Sequence, residues 1–170
     1  MDVLMMVLRL IHILGGVFWA GTAFFLVSFL TPAVKAAGPE GGKVMQRLAI
    51  SSFPKAIISI AALNVLSGLV MYYLDSGGLQ LAWITTPTGL GFTLGGIAGL
   101  ISLGIGLTIT APALDRVGAM AKAIMASGAP PTPEQMQELQ GHQMRMAGAA
   151  VWNAVFLALA VAAMAVARYS

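Results

Sequence analysis

Arg9-Leu10-Ile11-His12-Ile13-Leu14-Gly15-Gly16-Val17-Phe18-Trp19-Ala20-Gly21-Thr22 lies inside an apolar run, residues 3–30, that is long enough to cross a bilayer. The run nevertheless carries an arginine, a histidine, a tryptophan and three glycines. Steps of three and four residues place Met5, Arg9, His12, Gly16 and Trp19 on one helical stripe. Ionisable groups at membrane depth are costly and normally face the protein interior, so this stripe is the first candidate site. The rest of the chain is read for what could meet it.

The composition agrees with a membrane setting. Hydrophobic residues make up 58% of the 170 residues and charged residues 9%, against roughly 25% charged in soluble domains; the mean hydropathy is +0.87. The length leaves room for one helical bundle and no separate soluble domain. The net charge of +3 sits in loops beside apolar spans, where it sets orientation rather than binding nucleic acid. There is no cysteine, which removes disulfides, thiolate metal sites, iron–sulfur clusters and cysteine nucleophiles. The first apolar stretch is too long for a secretion signal and has Arg9 within it, so it reads as a retained span.

The chain as a whole reads as all-α: an integral membrane, antiparallel four-helix bundle with a short extra helix before the last span. The predicted spans are 3–30, stopped by Thr31-Pro32; 53–74, with Pro54 in its first turn; 88–111, stopped by Pro112; and 146–167, with Arg168 and Tyr169 at its exit. Residues 113–127 are expected as the short surface helix, and 44–50 as a further helical piece. Thr132-Pro133-Glu134-Gln135 reads as the start of a last helix whose first half is polar. Gly38-Pro39-Glu40-Gly41-Gly42 and Asp75-Ser76-Gly77-Gly78 are turn signals. Lys35, Lys43, Arg47 and Lys55 fall in the first polar stretch, 34–55, which reaches the first turn of the second span, and Arg116, Lys122 and Arg145 fall in the third connection, while the second has no Lys or Arg. Connections 34–52 and 112–145 are therefore expected on the cytoplasmic side of a prokaryotic inner membrane, with both termini and the Asp75 loop outside. No internal repeat stands out.

Depth along the helices, at about 1.5 Å per residue, sets His12 in the outer half near Met71, Thr93 and Met164. Trp19, Asn64, Ser67 and Asn153 lie nearer the middle. Asn64, Ser67 and Met71 share a face of the second span, and His142, Met146, Asn153 and Met164 share a face of the last. His142 sits about 30 Å in depth from His12, too far for both to hold one metal. If a haem binds, it would therefore take His12 as one ligand, with Met71, Met164 or nothing opposite. The same atoms, with Met5, suit cuprous copper. The bland readings are that His12 hydrogen-bonds a neighbouring carbonyl or asparagine, Arg9 snorkels, Asn64 and Asn153 glue helices together, and the methionines fill gaps. His142-Gln143-Met144-Arg145-Met146 reads as polar surface at a helix end. Asp2, Glu40, Asp75, Asp115, Glu134 and Glu138 all lie outside the spans, so a carboxylate proton relay or a hydrolase triad is unavailable and any chemistry falls to a bound cofactor. Gly91, Gly95 and Gly99 form small-residue steps for close helix approach, to a second copy, to a partner subunit or within the chain. A cofactor-free accessory subunit is the reading that uses only these.

His12 followed by Trp19-Ala20-Gly21 resembles the first span of the HemJ-type protoporphyrinogen oxidases and of the CopD copper-resistance membrane proteins, and Met45-Gln46-Arg47-Leu48 with Pro54 and Gly68 resembles the HemJ pattern. The closing Ala165-Val166-Ala167-Arg168-Tyr169 resembles small CopD-like proteins. The similarity covers the first two spans, the last one weakly and the third hardly at all. It implies a four-helix membrane bundle in which His12 ligates a b-type haem. Arg9, Trp19, Asn64 and Asn153 are then the further candidate cofactor-binding residues, with Arg9 suited to a propionate. The HemJ family has a lysine in its third span and an Asn-Glu pair in its last. Here the third span has neither lysine nor histidine, and Asn153 is followed by Ala154. The resemblance thus implies haem binding or electron transfer rather than porphyrinogen oxidation.

Overall fold

The computed structural model describes residues 3–169; Met1, Asp2 with its carboxylate, and Ser170 lie outside the described residues. All regular structure among the described residues is helical. Four helices are long and apolar enough to cross a membrane: Val3–Ala36, Phe53–Asp75, Pro87–Ser127 and Pro133–Tyr169. The first is built from α1 (Val3–Phe25), a π turn (Leu26–Leu30) and α2 (Thr31–Ala36). After α3 (Pro39–Ile50) comes α4 (Phe53–Asp75), and the short α5 (Leu81–Ile84) leads into α6 (Pro87–Ile105). A second π turn (Gly106–Thr110) joins α6 to α7 (Ala111–Ser127), and α8 (Pro133–Val166) closes the chain with a final 3-10 turn.

Two predicted stops are not stops. The helices run through Thr31-Pro32 and through Pro112, so 113–127 continues the third long helix instead of forming a separate surface helix. The reason is the π turn placed just before each proline. The N–H of Thr31 bonds to the Leu26 carbonyl and that of Ala111 to the Gly106 carbonyl, a five-residue step. The widened turn accommodates the proline ring and its missing donor, which would break a regular ladder. The start of α8 is as the residues predict. The Gln135 N–H donates to Thr132 Oγ1 at 3.3 Å and the Thr132 N–H to Gln135 Oε1 at 2.9 Å, a reciprocal cap. Beside it, hydrogen bonds from its own backbone N–H and from the Thr132 hydroxyl hold the Glu134 carboxyl below its ordinary range.

The helices pair as α1 with α4 and α6 with α8. Gly68 lies against His12 and Asn64 against Gly15 and Gly16 in the first pair; Gly91 lies against Ala167 and Gly95 against Met164 in the second. Numbers rise along one helix as they fall along the other, so both pairs are antiparallel. The two pairs meet at a core of Trp19, Ala20 and Ala23 from α1, Ala61 from α4 and Leu157 from α8, flanked by Leu103. They meet again where the Tyr72 hydroxyl donates to Thr93 Oγ1 at 2.6 Å, which in turn donates to the Gly89 carbonyl. Trp83 packs edge-on to Tyr72, with centroids 5.4 Å apart, and stacks on Phe92 at 6.4 Å. Interior contacts are dominated by small side chains, while leucines, isoleucines and valines cover the outside. The described residues expose 10507 Å², well above the about 8,000 Å² of a compact soluble chain of this mass.

The two π turns expose a repeat that composition hides. Leu10, Leu14, Gly15, Gly16, Pro32, Ala33 and Gly38 recur eighty residues later as Leu90, Leu94, Gly95, Gly96, Pro112, Ala113 and Gly118. The π turns Leu26–Leu30 and Gly106–Thr110 stand at the same offset. Gly15 and Gly95 both receive the paired helix, Asn64 in one case and Met164 in the other. Each half of the chain is thus a helical hairpin opened by a long helix with one π turn.

Candidate functional site

The stripe on α1 meets the polar stripe on α4 through a reciprocal clasp. His12 Nδ1 lies 2.8 Å from the Asn64 backbone oxygen, and Asn64 Nδ2 donates to the His12 backbone oxygen at 2.5 Å. Because a carbonyl can only accept, Nδ1 carries the proton. The close approach is made by glycines. A Cβ on Gly68 would stand 2.8 Å from His12 Cε1, and one on Gly16 would stand 3.1 Å from Asn64 Nδ2. The Ser67 hydroxyl is within reach of the Leu63 and Asn64 carbonyls at 2.8 and 2.9 Å. Asn64 and Ser67 are buried, whereas His12 is half-buried.

The second imidazole nitrogen has a different environment. No hydrogen-bond partner among the described residues reaches His12 Nε2. Every fully buried side-chain nitrogen and oxygen among them has a partner, so Nε2 is an accessible atom. A ring held by Nδ1–H on a carbonyl, with its other nitrogen open, is the arrangement that metal-ligating histidines adopt. Arg9 is one turn away on the same stripe, half-buried, with no ion pair among the described residues. Met71 is one turn beyond Gly68 on the stripe of α4 that faces His12, and is half-buried.

The other predicted residues make the following contacts. Trp19 is 5% exposed and forms part of the packing core. Asn153 accepts a hydrogen bond from the buried Ser102 hydroxyl and ties α8 to α6. Met164 packs with its Cγ against Gly95. Gly91 and Gly95 are occupied by α8 of the same chain, while Gly96 and Gly99 have open space where a Cβ would stand. Among the described residues, no three of His, Asp and Glu come together as a metal cluster. A copper reading therefore rests on His12 with thioethers.

One feature escapes the sequence. A cleft of about 630 Å³ opens between the second π turn, α7 and the middle of α8, lined by Arg116, His142 and Arg145 at one end and by Trp152, Phe156 and Ile109 among others. His142 and Arg145 lie three residues apart on α8, but Arg116 arrives from α7, and only packing brings it there. Comparison with known proteins finds no matching family model, no matching curated protein and no matching solved structure.

Proposed function

We propose that this chain is a haem-binding, redox-type integral membrane protein: an antiparallel four-helix membrane bundle in which His12 Nε2 ligates the iron of a haem b. The observation that carries the reading is the polarised imidazole, with Nδ1–H anchored on the Asn64 carbonyl and Nε2 open. The residues present fit the group. One imidazole has a fixed tautomer, a thioether (Met71) stands on the facing stripe, and Arg9 one turn away matches a propionate. When bound, the haem would supply one-electron transfer, which needs no proton relay from the spans. The role of the chain is to orient: the Asn64 carbonyl fixes the ring, Gly68 makes room for it, and the bundle keeps bulk water away. Of the two thioethers, Met71 supports a second ligand better, because Met164 is engaged against Gly95. The location that fits the basic connections is a prokaryotic inner membrane, with both termini outside.

The test is the absorption spectrum of detergent-purified protein, oxidised and then reduced with dithionite, before and after adding haemin. A Soret band with sharp reduced α and β bands is expected, lost in His12→Ala and kept in His142→Ala. His12→Ala retains the Asn64 donor bond, because that bond ends on the backbone oxygen of residue 12, so loss of haem would not merely report unfolding. Stoichiometric copper without haem would shift the assignment to a copper-handling site of His12, Met71 and Met164. A colourless protein indifferent to haemin and copper would leave an accessory subunit in which the clasp is purely structural.

A further inference from the structure

We infer that the cleft between α7 and α8 is a binding site for an anionic phospholipid of the surrounding bilayer, with the head group on Arg116 and Arg145 and an acyl chain running toward Phe156. The inference rests on the membrane reading and is independent of haem.

The first support is charge. Arg116 and Arg145 are both exposed, and neither has an ion-pair partner among the described residues. His142 shares their end of the cleft and is 3.8 Å from the exposed Glu138, the nearest carboxylate to it; no carboxylate lines the cleft itself. Two guanidiniums, neither with an ion-pair partner among the described residues, form a receptor for a phosphate-type anion.

The second support is polarity along the helix. His142, Arg145, Ala149, Trp152 and Phe156 recur on α8 at alternating steps of three and four, so they form one stripe. From Arg145 to Phe156 the stripe covers about 16 Å at the helical rise per residue. Charge is confined to the end next to the basic connections; beyond it the walls are Ile105, Ile109, Trp152 and Phe156. A soluble anion would need only the first part. An amphiphile lying along the helices, head at the interface and tail inside, uses the whole length.

The third support is the repeat. The second π turn contributes Thr108 and Ile109 to the wall, and π turns inside helices are frequent at functional sites. At the equivalent place in the first hairpin, eighty residues earlier, Ala36 stands where the second has Arg116. The fold repeats, but this cation belongs to the second half alone.

The experiment is native mass spectrometry of the full chain in detergent, titrated with phosphatidylglycerol or phosphatidylcholine. Wild type should hold one phosphatidylglycerol in preference to phosphatidylcholine. Arg116→Gln with Arg145→Gln should weaken phosphatidylglycerol about thirtyfold, the effect of two arginines at a membrane surface. Arg116→Lys with Arg145→Lys should keep most of the preference, and Lys35→Gln with Lys55→Gln should leave it intact. Both arginines are exposed and have no ion-pair partner among the described residues, so the double variant is expected to fold, and its far-UV circular dichroism checks this. Equal binding of the two lipids would overturn the inference. So would inorganic phosphate competing as well as phosphatidylglycerol, which would mark a head-group-sized anion site. Haemin binding that is lost in the Gln double variant but kept in His12→Ala would assign the cleft to a macrocyclic acid and overturn it as well.

Discussion

Gly68→Ala is the sharpest test of the clasp between α1 and α4. The added Cβ would stand 2.8 Å from His12 Cε1 and 3.1 Å from Nδ1. Ordinary contact begins near 3.4 Å, so the ring edge must retreat by 0.6 Å (3.4 against 2.8 Å). The ring is not a loose side-chain end, because Nδ1 is held 2.8 Å from the Asn64 oxygen, and Asn64 is itself held on the His12 carbonyl. Overpacking of this kind costs about 1–3 kcal/mol. A lost interhelical hydrogen bond in a membrane protein adds about 0.6 kcal/mol, with a maximum near 1.7. Against this stands a gain of about 1 kcal/mol in helix propensity for alanine over glycine. The net expectation is destabilisation of about 1–3 kcal/mol. Gly99→Ala is the internal control: nothing lies within 4 Å of its new Cβ, so only the propensity gain remains. Thermal or denaturant unfolding in detergent, followed by far-UV circular dichroism, should place Gly68→Ala below wild type and Gly99→Ala at or above it. If Gly68→Ala proves as stable as Gly99→Ala, the imidazole is not seated on Gly68 and the clasp is wrong.

Two further outcomes follow from the packing. Trp19→Ala should cost about 3–5 kcal/mol of stability in the same assay, because the ring fills the junction of α1, α4 and α8; an effect below about 1 kcal/mol would show Trp19 to be a surface residue rather than core. Ser102→Ala and Asn153→Ala should be non-additive, with a coupling energy of about 0.6–1.7 kcal/mol in a double-mutant cycle, since each removes the same hydrogen bond between α6 and α8. Strict additivity would mean that the two side chains do not meet.

Features that depend on local periodicity are legible in the chain. Four apolar stretches of spanning length, the stripe of Arg9, His12, Gly16 and Trp19, the facing stripe of Asn64, Ser67 and Met71, and the cap at Thr132 all follow from steps of three and four residues. The sequence also limited the role of His12 to a short set of possibilities, carbonyl bonding among them. It could not choose the partner atoms. That choice depends on helix register, which Gly68 and the Gly15-Gly16 pair set by allowing backbones to close in from fifty residues away.

The folded structure alone settled four things. It carried two helices through Pro32 and Pro112, because a five-residue hydrogen bond widened the turn before each ring. It placed Trp19 in the packing core and committed Gly91 and Gly95 to α8, where Ala167 and Met164 occupy the notches. It set a π turn in each half at the same eighty-residue offset. It also moved Arg116 beside His142 and Arg145. Residue type and spacing report what lies on one helix, because the helical period fixes it. Which faces of different helices meet is fixed by the packing of small side chains between them, and that is a property of the folded chain.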